Sequence, residues 1–240
     1  MELSLRLSAI AELVTEGNRL VDVGCDHGYL PVYLVEKKKI PGAVAADVGK
    51  GPLSRAEEHI RQSGLETYIE TRLSNGLQEI KKGEGDTLVI AGMGGPLMER
   101  ILSEGRRTLA GFQELILQPQ SDVPHVRRYL FMNGFRITEE RVVLEDGKFY
   151  IIVKAIPAAG NNSRIPEVPW TEEEFLFGKF LLENRNPILK KYLQRELMIR
   201  DRILDRIAGA DMPGEKAVTR RNEVEEERRL ILAALKRYES

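Results

Sequence analysis

The sequence predicts an α/β domain with a parallel, doubly wound sheet, followed by an antiparallel helical pair, on three observations. Short apolar runs alternate with amphipathic stretches as far as Pro157. Two strand-like runs then follow one another directly across an Asp-Gly turn. Beyond residue 169 the chain becomes long, charged and glycine-poor, with apolar residues at helical spacing.

Residues 19–24 (RLVDVG), 42–47 (GAVAAD), 86–91 (DTLVIA) and 114–118 (ELILQ) read as buried strands, each closed by glycine or polar punctuation. A further strand ends just before Ser74-Asn75-Gly76 and takes third place in this order. Residues 29–38, 52–62, 96–104 and 123–132 read as crossover helices, and regular βα alternation makes the sheet parallel. Residues 135–144 and 148–156 form a hairpin across Glu145-Asp146-Gly147, which ends the sheet in antiparallel fashion. A sheet finished this way is similar to the seven-stranded, Rossmann-like class I methyltransferase architecture rather than to a dinucleotide dehydrogenase. Phe177, Leu181, Leu189, Leu193, Leu197, Leu204 and Ile207, then Val224, Ile231, Leu235 and Tyr238, flank Met212-Pro213-Gly214 at helical spacing, so two antiparallel, coiled-coil-like helices are expected. The expected limits are 1–157 for the α/β domain, 158–169 for a Gly/Asn/Ser/Pro linker and 170–240 for the helical hairpin.

Composition narrows the function classes. The 240 residues carry 36 Lys and Arg against 37 Asp and Glu, a formal charge of -1, so affinity for a polyanion has to come from a local basic patch. Cys25 is the single cysteine, which excludes an internal disulfide and fits a reducing compartment, and a total of three His argues against a metal cluster. No apolar run reaches membrane-spanning length, and Met-Glu-Leu-Ser lacks the plan of a signal peptide. A cytoplasmic monomer with neither metal nor membrane is expected.

The strongest local signal is the stretch 20–31, LVDVGCDHGYLP: a strand entering a tight turn with Gly24 and Gly28, then a helix. Such a turn lets a ligand approach the backbone at the carboxyl edge of the sheet. About twenty residues beyond the glycines, Asp47 ends the next strand, where a carboxylate can accept both hydroxyls of a ribose or else cap the following helix. Asp26 stands where a dinucleotide fingerprint has its middle glycine, and a carboxylate there repels pyrophosphate. A phosphate-free, cationic nucleoside suits the site better. S-adenosylmethionine, with its sulfonium, ammonium and ribose diol, is compatible with Asp22, Asp26 and Asp47, with Asp22 expected to order the turn by accepting backbone N–H groups. Asn75 and Gly76 could read an adenine edge or simply make a turn. Ala91-Gly92-Met93-Gly94-Gly95 offers little bulk where a methyl group would meet its acceptor, and Gln118-Pro119-Gln120 supplies amides that could position a heterocycle, although Gln120 also fits a solvent-facing loop. His27 is either a structural or a functional group of the turn, His59 and His125 read as surface residues, and Cys25 as a small turn residue without an activating base.

Together these residues resemble the bacterial tRNA (adenine(22)-N1)-methyltransferase family, TrmK. The resemblance rests on Arg6-Leu7, the 22–31 turn, 45–52, Ser74-Asn75-Gly76, the A-G-M-G-G of 91–95, 118–120 and the hairpin with Phe149-Tyr150-Ile151-Ile152, and covers nearly the whole chain. Gln120 stands where the family more usually has Asn. The resemblance implies S-adenosylmethionine held by Arg6, Asp22, Gly24, Asp26, His27, Gly28, Tyr29, Asp47, Val48, Pro52, Asn75, Gly76, Ala91, Gly92, Met93 and Gly94. It implies transfer of a methyl group to adenine N1, whose lone pair attacks in line without a base. Asp26 is the expected stabiliser of the cationic base, with His27, Gln118, Pro119 and Gln120 shaping the acceptor pocket. Lys190, Lys191, Arg195, Arg200, Arg202, Arg220 and Arg221 of the helical pair are the expected tRNA contacts. The competing readings are a methyltransferase of this fold acting on another acceptor and a non-catalytic RNA-binding module.

Overall fold

The computed structural model describes residues 2–158, 169–208 and 215–239. The chain forms two compact units, Met1–Val168 and Pro169–Ser240.

The first unit is built on a seven-stranded sheet: β1 (Leu20–Val23), β2 (Ala43–Asp47), β3 (Ile69–Leu73), β4 (Thr87–Gly94), β5 (Glu114–Ser121), β6 (Phe135–Glu145) and β7 (Lys148–Pro157), in the order β3-β2-β1-β4-β5-β7-β6. Strands β1 to β5 pair in parallel, whereas β7 lies antiparallel between β5 and β6. Because β1 has β2 on one side and β4 on the other, the chain direction across the sheet reverses there. Such a switch point opens a crevice at the carboxyl ends of the strands. The helices are α1 (Leu5–Leu13), α2 (Tyr29–Glu36), α3 (Lys50–Gln62), α4 (Gly95–Glu104), α5 (Arg106–Leu109) and α6 (Val123–Met132). All four residues of β1 are buried, flanked by buried Ala43 to Ala46 of β2 on one side and Leu88 to Ile90 of β4 on the other.

Three features correct the sequence expectations. Helix α1 has no counterpart among the expected elements: Ser4 caps it by accepting the Leu7 N–H at 3.2 Å, and Ala9, Ile10, Ala11 and Leu13 bury its end. Strands β4 and β5 run on to Gly94 and Ser121, because two register shifts between Ala91 and Gly94 let the glycine segment keep pairing with Pro119 and Ser121. The C-terminal unit has four helices among its described residues rather than two: α7 (Glu172–Phe177), α8 (Lys179–Glu183), α9 (Pro187–Ala208) and α10 (Glu215–Lys236). A Thr171/Glu174 capping box starts α7, and Gly178 at φ +95 separates it from α8, so Phe177 and Leu181 belong to short helices. The Asn186 side chain accepts the N–H groups of Ile188 and Leu189 and begins α9 afresh.

Helices α9 and α10 run antiparallel, with Arg200 on Glu227 at 2.8 Å, Arg228 on Asp201 at 2.6 Å and the Tyr238 hydroxyl on the Asn186 carbonyl at 3.1 Å. Most of the expected linker and the Met212-Pro213-Gly214 turn lie outside the described residues.

Glu114 ties the segment after α1 to three strands. It is 4% exposed and accepts the Thr15 N–H and hydroxyl, the Thr87 hydroxyl and, at 2.8 Å, the Lys154 ammonium. Burial alone would raise its pKa, yet these donors outweigh burial and hold the carboxyl below its ordinary value. A lowered folded pKa stabilises above the unfolded value of 4.5 and loses that contribution as pH falls through the folded one. Glu114→Gln is therefore expected to cost about 1–3 kcal/mol in urea unfolding at pH 7, with the gap from wild type closing below about pH 4.

Candidate active site

A cavity of about 670 Å³ opens at the switch point, lined by Leu3, Ser4, Arg6 and Leu7 from the N-terminal segment, Asp22, Gly24, Cys25, Asp26, His27, Tyr29 and Leu30 from the β1 turn, and Ala91, Gly92 and Gln120. It therefore gathers Arg6, Asp22, Gly24, Asp26, His27, Tyr29, Ala91, Gly92 and Gln120 of the sequence-predicted set. Gly28, Asp47, Val48, Pro52, Asn75, Gly76, Met93, Gly94, Gln118 and Pro119 lie outside its lining.

The turn after β1 is held by its neighbours. Gly24 takes φ +79, and the N–H groups of Gly24 and Cys25 both donate to the Ala46 carbonyl of β2, at 2.8 and 3.1 Å. The Gly28 N–H donates to the Cys25 carbonyl. Met93 packs its methyl group on the turn at Gly24, and it is the φ of +79 there that favours glycine.

These amides do not reach Asp22, contrary to expectation: its carboxylate accepts no hydrogen bond from the described residues. Asp22 is 5% exposed and faces the cavity. Burial first, and the neighbouring Asp47 second, push its carboxyl up to about 7, with Arg6 opposing them. The same burial, reinforced by Asp22 and Asp47, drives the Cys25 thiol well above its ordinary value, so it stays protonated.

Gln118 and Pro119 do not shape an acceptor pocket by contact, because both are buried. The Gln118 Oε1 accepts from Arg6 Nη1 at 3.0 Å and from the Gly92 N–H at 3.1 Å, while its Nε2 donates to the Pro119 carbonyl. The amide thus fixes the cavity wall. Arg6 also lies over the Tyr150 ring at 5.7 Å. Gly92 takes φ +77 where β4 bulges, whereas Gly95 serves packing, since a Cβ there would fall 2.8 Å from the Ser121 carbonyl oxygen. Exposed Gln120 is the amide that reaches the cavity.

Asp26, expected to stabilise a cationic base, stands at the cavity beside α3. Its side chain is 61% exposed and forms an ion pair with Arg55 at 2.8 Å, so its field is both screened and answered by a cation. Sequence reasoning missed Arg55, which lies on α3 and also donates its Nε–H to His27 Nε2 at 3.1 Å. His27 has φ +61 and stacks on Tyr29, and its carbonyl accepts from His59 Nδ1 at 2.8 Å. His59 is thus a partner of the turn rather than a plain surface residue. His125 pairs with Glu99 at the surface.

Asp47 accepts the Gly49 N–H at 2.7 Å with Oδ1, at the start of α3. Val48 is exposed beside it, and Pro52 packs toward Gly49. Exposed Asn75 lines a different recess with Leu77, Ile101 and Arg106, and Gly76 sits under Ile101, so neither joins the cavity.

In the C-terminal unit three expected cations carry their own counter-charges. Arg200 pairs with Glu196 and Glu227, Arg220 with Glu223 and Glu227, and Arg221 with Glu225. Spacing at three and four residues brings Glu to Arg as readily as it segregates the signs. Lys190 lies over the Tyr238 ring at 5.8 Å. Lys191, Arg195 and Arg202 are exposed and share one face of α9 with exposed Met198.

A buried acid, a guanidinium and a glycine turn around a cavity of this volume suit a small zwitterionic, positively charged ligand. Among the described residues no cluster of His, Cys, Asp or Glu could hold a metal ion, and no helix is long and apolar enough to cross a membrane.

Comparison with known proteins agrees with this geometry. A family model described as a methyltransferase domain matches residues 3–153. The tRNA (adenine(22)-N(1))-methyltransferase of Bacillus subtilis is 36% identical over 210 residues, 88% of this chain and 87% of that protein. The crystal structure of the B. subtilis tRNA methyltransferase TrmK superposes with a TM-score of 0.86 at 34% identity, covering 98% of this chain and 99% of that one. Streptococcus pneumoniae Sp1610 in complex with S-adenosyl-L-methionine matches with a TM-score of 0.85 at 32% identity, covering 98% and 100%.

The raised Asp22 carboxyl has a consequence for the ligand-free protein. Between pH 3.8 and about 7 the folded chain holds a proton that the unfolded chain has lost, so stability falls through that window and stays lower above it. Asp22→Asn is expected to match wild type in unfolding near pH 4 and to exceed it above pH 7, by up to about 4 kcal/mol.

Proposed function

The chain belongs to the tRNA (adenine(22)-N1)-methyltransferase family, and from that premise we infer that it transfers the methyl group of S-adenosylmethionine to N1 of adenosine 22 in tRNA. The observation that carries the reading within the cavity is the pairing of Asp22, buried with no hydrogen-bond donor among the described residues, with Arg6. A buried carboxylate needs a donor or a cation, and an amino acid group offers an ammonium to Asp22 and a carboxylate to Arg6. The residues therefore fit S-adenosylmethionine, which when bound supplies an electrophilic methyl group on a sulfonium.

Adenine N1 has a free lone pair, so the chain's task is alignment and electrostatics rather than proton removal. Gln118 holds Arg6 and Gly92 in place. Gly24 and Gly92 keep side chains out of the approach, and Asp47, with Oδ1 engaged by Gly49, has its other oxygen for a ribose hydroxyl. Gln120 supplies amide hydrogen bonds at the rim for the acceptor base. Buried Asp22, rather than solvated Asp26, is the carboxylate whose field stays strong beside the cationic centre. Lys191 and Arg202 suit the tRNA backbone. The enzyme acts as a cytoplasmic monomer in this reading.

Incubation of unmodified tRNA with protein and S-adenosylmethionine, followed by mass mapping of nucleosides, tests the function. N1-methyladenosine at position 22, lost when that adenosine is replaced by guanosine, is expected; methyl transfer to another nucleotide or to none would overturn it.

Two further outcomes follow from the assigned roles. Because a cation at Asp22 requires the carboxylate, S-adenosylmethionine affinity should drop by up to about tenfold per pH unit below pH 7, with proton release visible by calorimetry at pH 6 and absent at pH 8. Asp22→Asn should bind weakly with a flat profile. Lys191→Ala and Arg202→Ala should each weaken tRNA binding and reduce its log–log salt slope by about one unit, leaving S-adenosylmethionine affinity unchanged.

A further inference from the structure

We propose that the recess between the β1 turn and α3, lined by His27, Tyr29, Ser54, Arg55, His59 and Gln62, is a stacking site for an RNA base displaced when the target adenosine leaves its helix. This rests on the reading of the chain as a tRNA methyltransferase. The recess measures about 420 Å³ and shares His27 and Tyr29 with the cofactor cavity, so its occupant lies beside the reaction.

Its rings are assembled by the backbone. The φ of +61 at His27 sets its ring parallel to Tyr29, with centroids 5.2 Å apart and planes at 14°. His59 meets Tyr29 edge-on at 5.1 Å, fixed by its Nδ1–H on the His27 carbonyl. Despite this framework Tyr29 remains 40% exposed. A rigid aromatic platform open to solvent offers a base a π-face with little ordering cost.

Charge selects the occupant. Arg55 is opposed by Asp26 at 2.8 Å, and Glu58, which also lines the recess, is opposed by Arg61 and also accepts from Gln62. The recess is close to neutral, which favours the uncharged ring of a nucleotide over its phosphate. Reaction at N1, on the Watson–Crick edge, requires the adenosine to be unpaired and lifted from its stack. The base left behind loses a stacking neighbour, and the platform replaces it.

The test uses full-length protein with two substitutions outside the cofactor cavity. His59→Asn removes the ring but keeps an amide N–H that can donate to the His27 carbonyl, and Ser54→Met fills the recess from an exposed helical position. Each is expected to raise KM for tRNA roughly tenfold, the effect of losing one stacked base, while the salt slope of tRNA binding and S-adenosylmethionine affinity stay at wild type. Unchanged KM in both variants would overturn the proposal. So would a slope lowered by about one unit, which marks a phosphate contact, or a parallel fall in S-adenosylmethionine affinity, which makes the recess part of the cofactor cavity. Wild-type protein that transfers no methyl to tRNA overturns the parent reading and this one together, and shows itself before any substitution is made.

Discussion

Three walls of the cavity meet on one buried amide. Gln118 takes its donors from Arg6 on α1 and from the Gly92 N–H in the β4 bulge, and its own N–H₂ is occupied by the adjacent Pro119 carbonyl. A buried amide that loses such partners is costly, so helix, bulge and strand are positioned together or not at all. Arg6 then has its guanidinium fixed from one side by an amide and from another by the Tyr150 ring. Gly92 takes its positive φ where its N–H donates to Gln118 of β5.

Electrostatics at the β1 turn works in the opposite sense, against the ligand-free fold. Asp47 adds to the cost of ionising buried Asp22, and both carboxylates suppress ionisation of the Cys25 thiol. Arg6 relieves this only in part. A site that binds a cation well is one that repels its own charges beforehand, and the fold tolerates that because Glu114 and its four donors secure the far end of β5.

What was legible in the sequence follows the range of the interactions. The β1 turn and the closing hairpin are written in residues a few positions apart, where glycine and strand alternation have local meaning. Helix α1 is nine residues long with polar and apolar positions poorly separated, and its place depends on packing under distant strands. Gln118 has the same residue type whether it reaches out to a base or inward to Arg6, and only burial distinguishes the two. Arg55 with Asp26, and His59 with His27, are joined across the turn-to-helix packing, which spacing does not reveal. The charge pairs within α9 and α10 are a different case: Glu196 with Arg200 and Arg221 with Glu225 stand four apart, a spacing that by itself implies neutralisation.

The hairpin that places β7 inside the sheet also decides what lies at its rim. Strand β6 becomes one border, with Arg136, Glu139, Arg141 and Glu145 along it and a register shift between Ile137 and Glu139; short β3, with Glu70 and Arg72, is the other. Unpaired borders of a sheet are templates for another strand, and charge and irregular register are what deter it. Growth of the sheet therefore stops at seven strands on both sides, and the backbone hydrogen bonds that could recruit a second chain into an aggregate are guarded by the same residues that finish the fold.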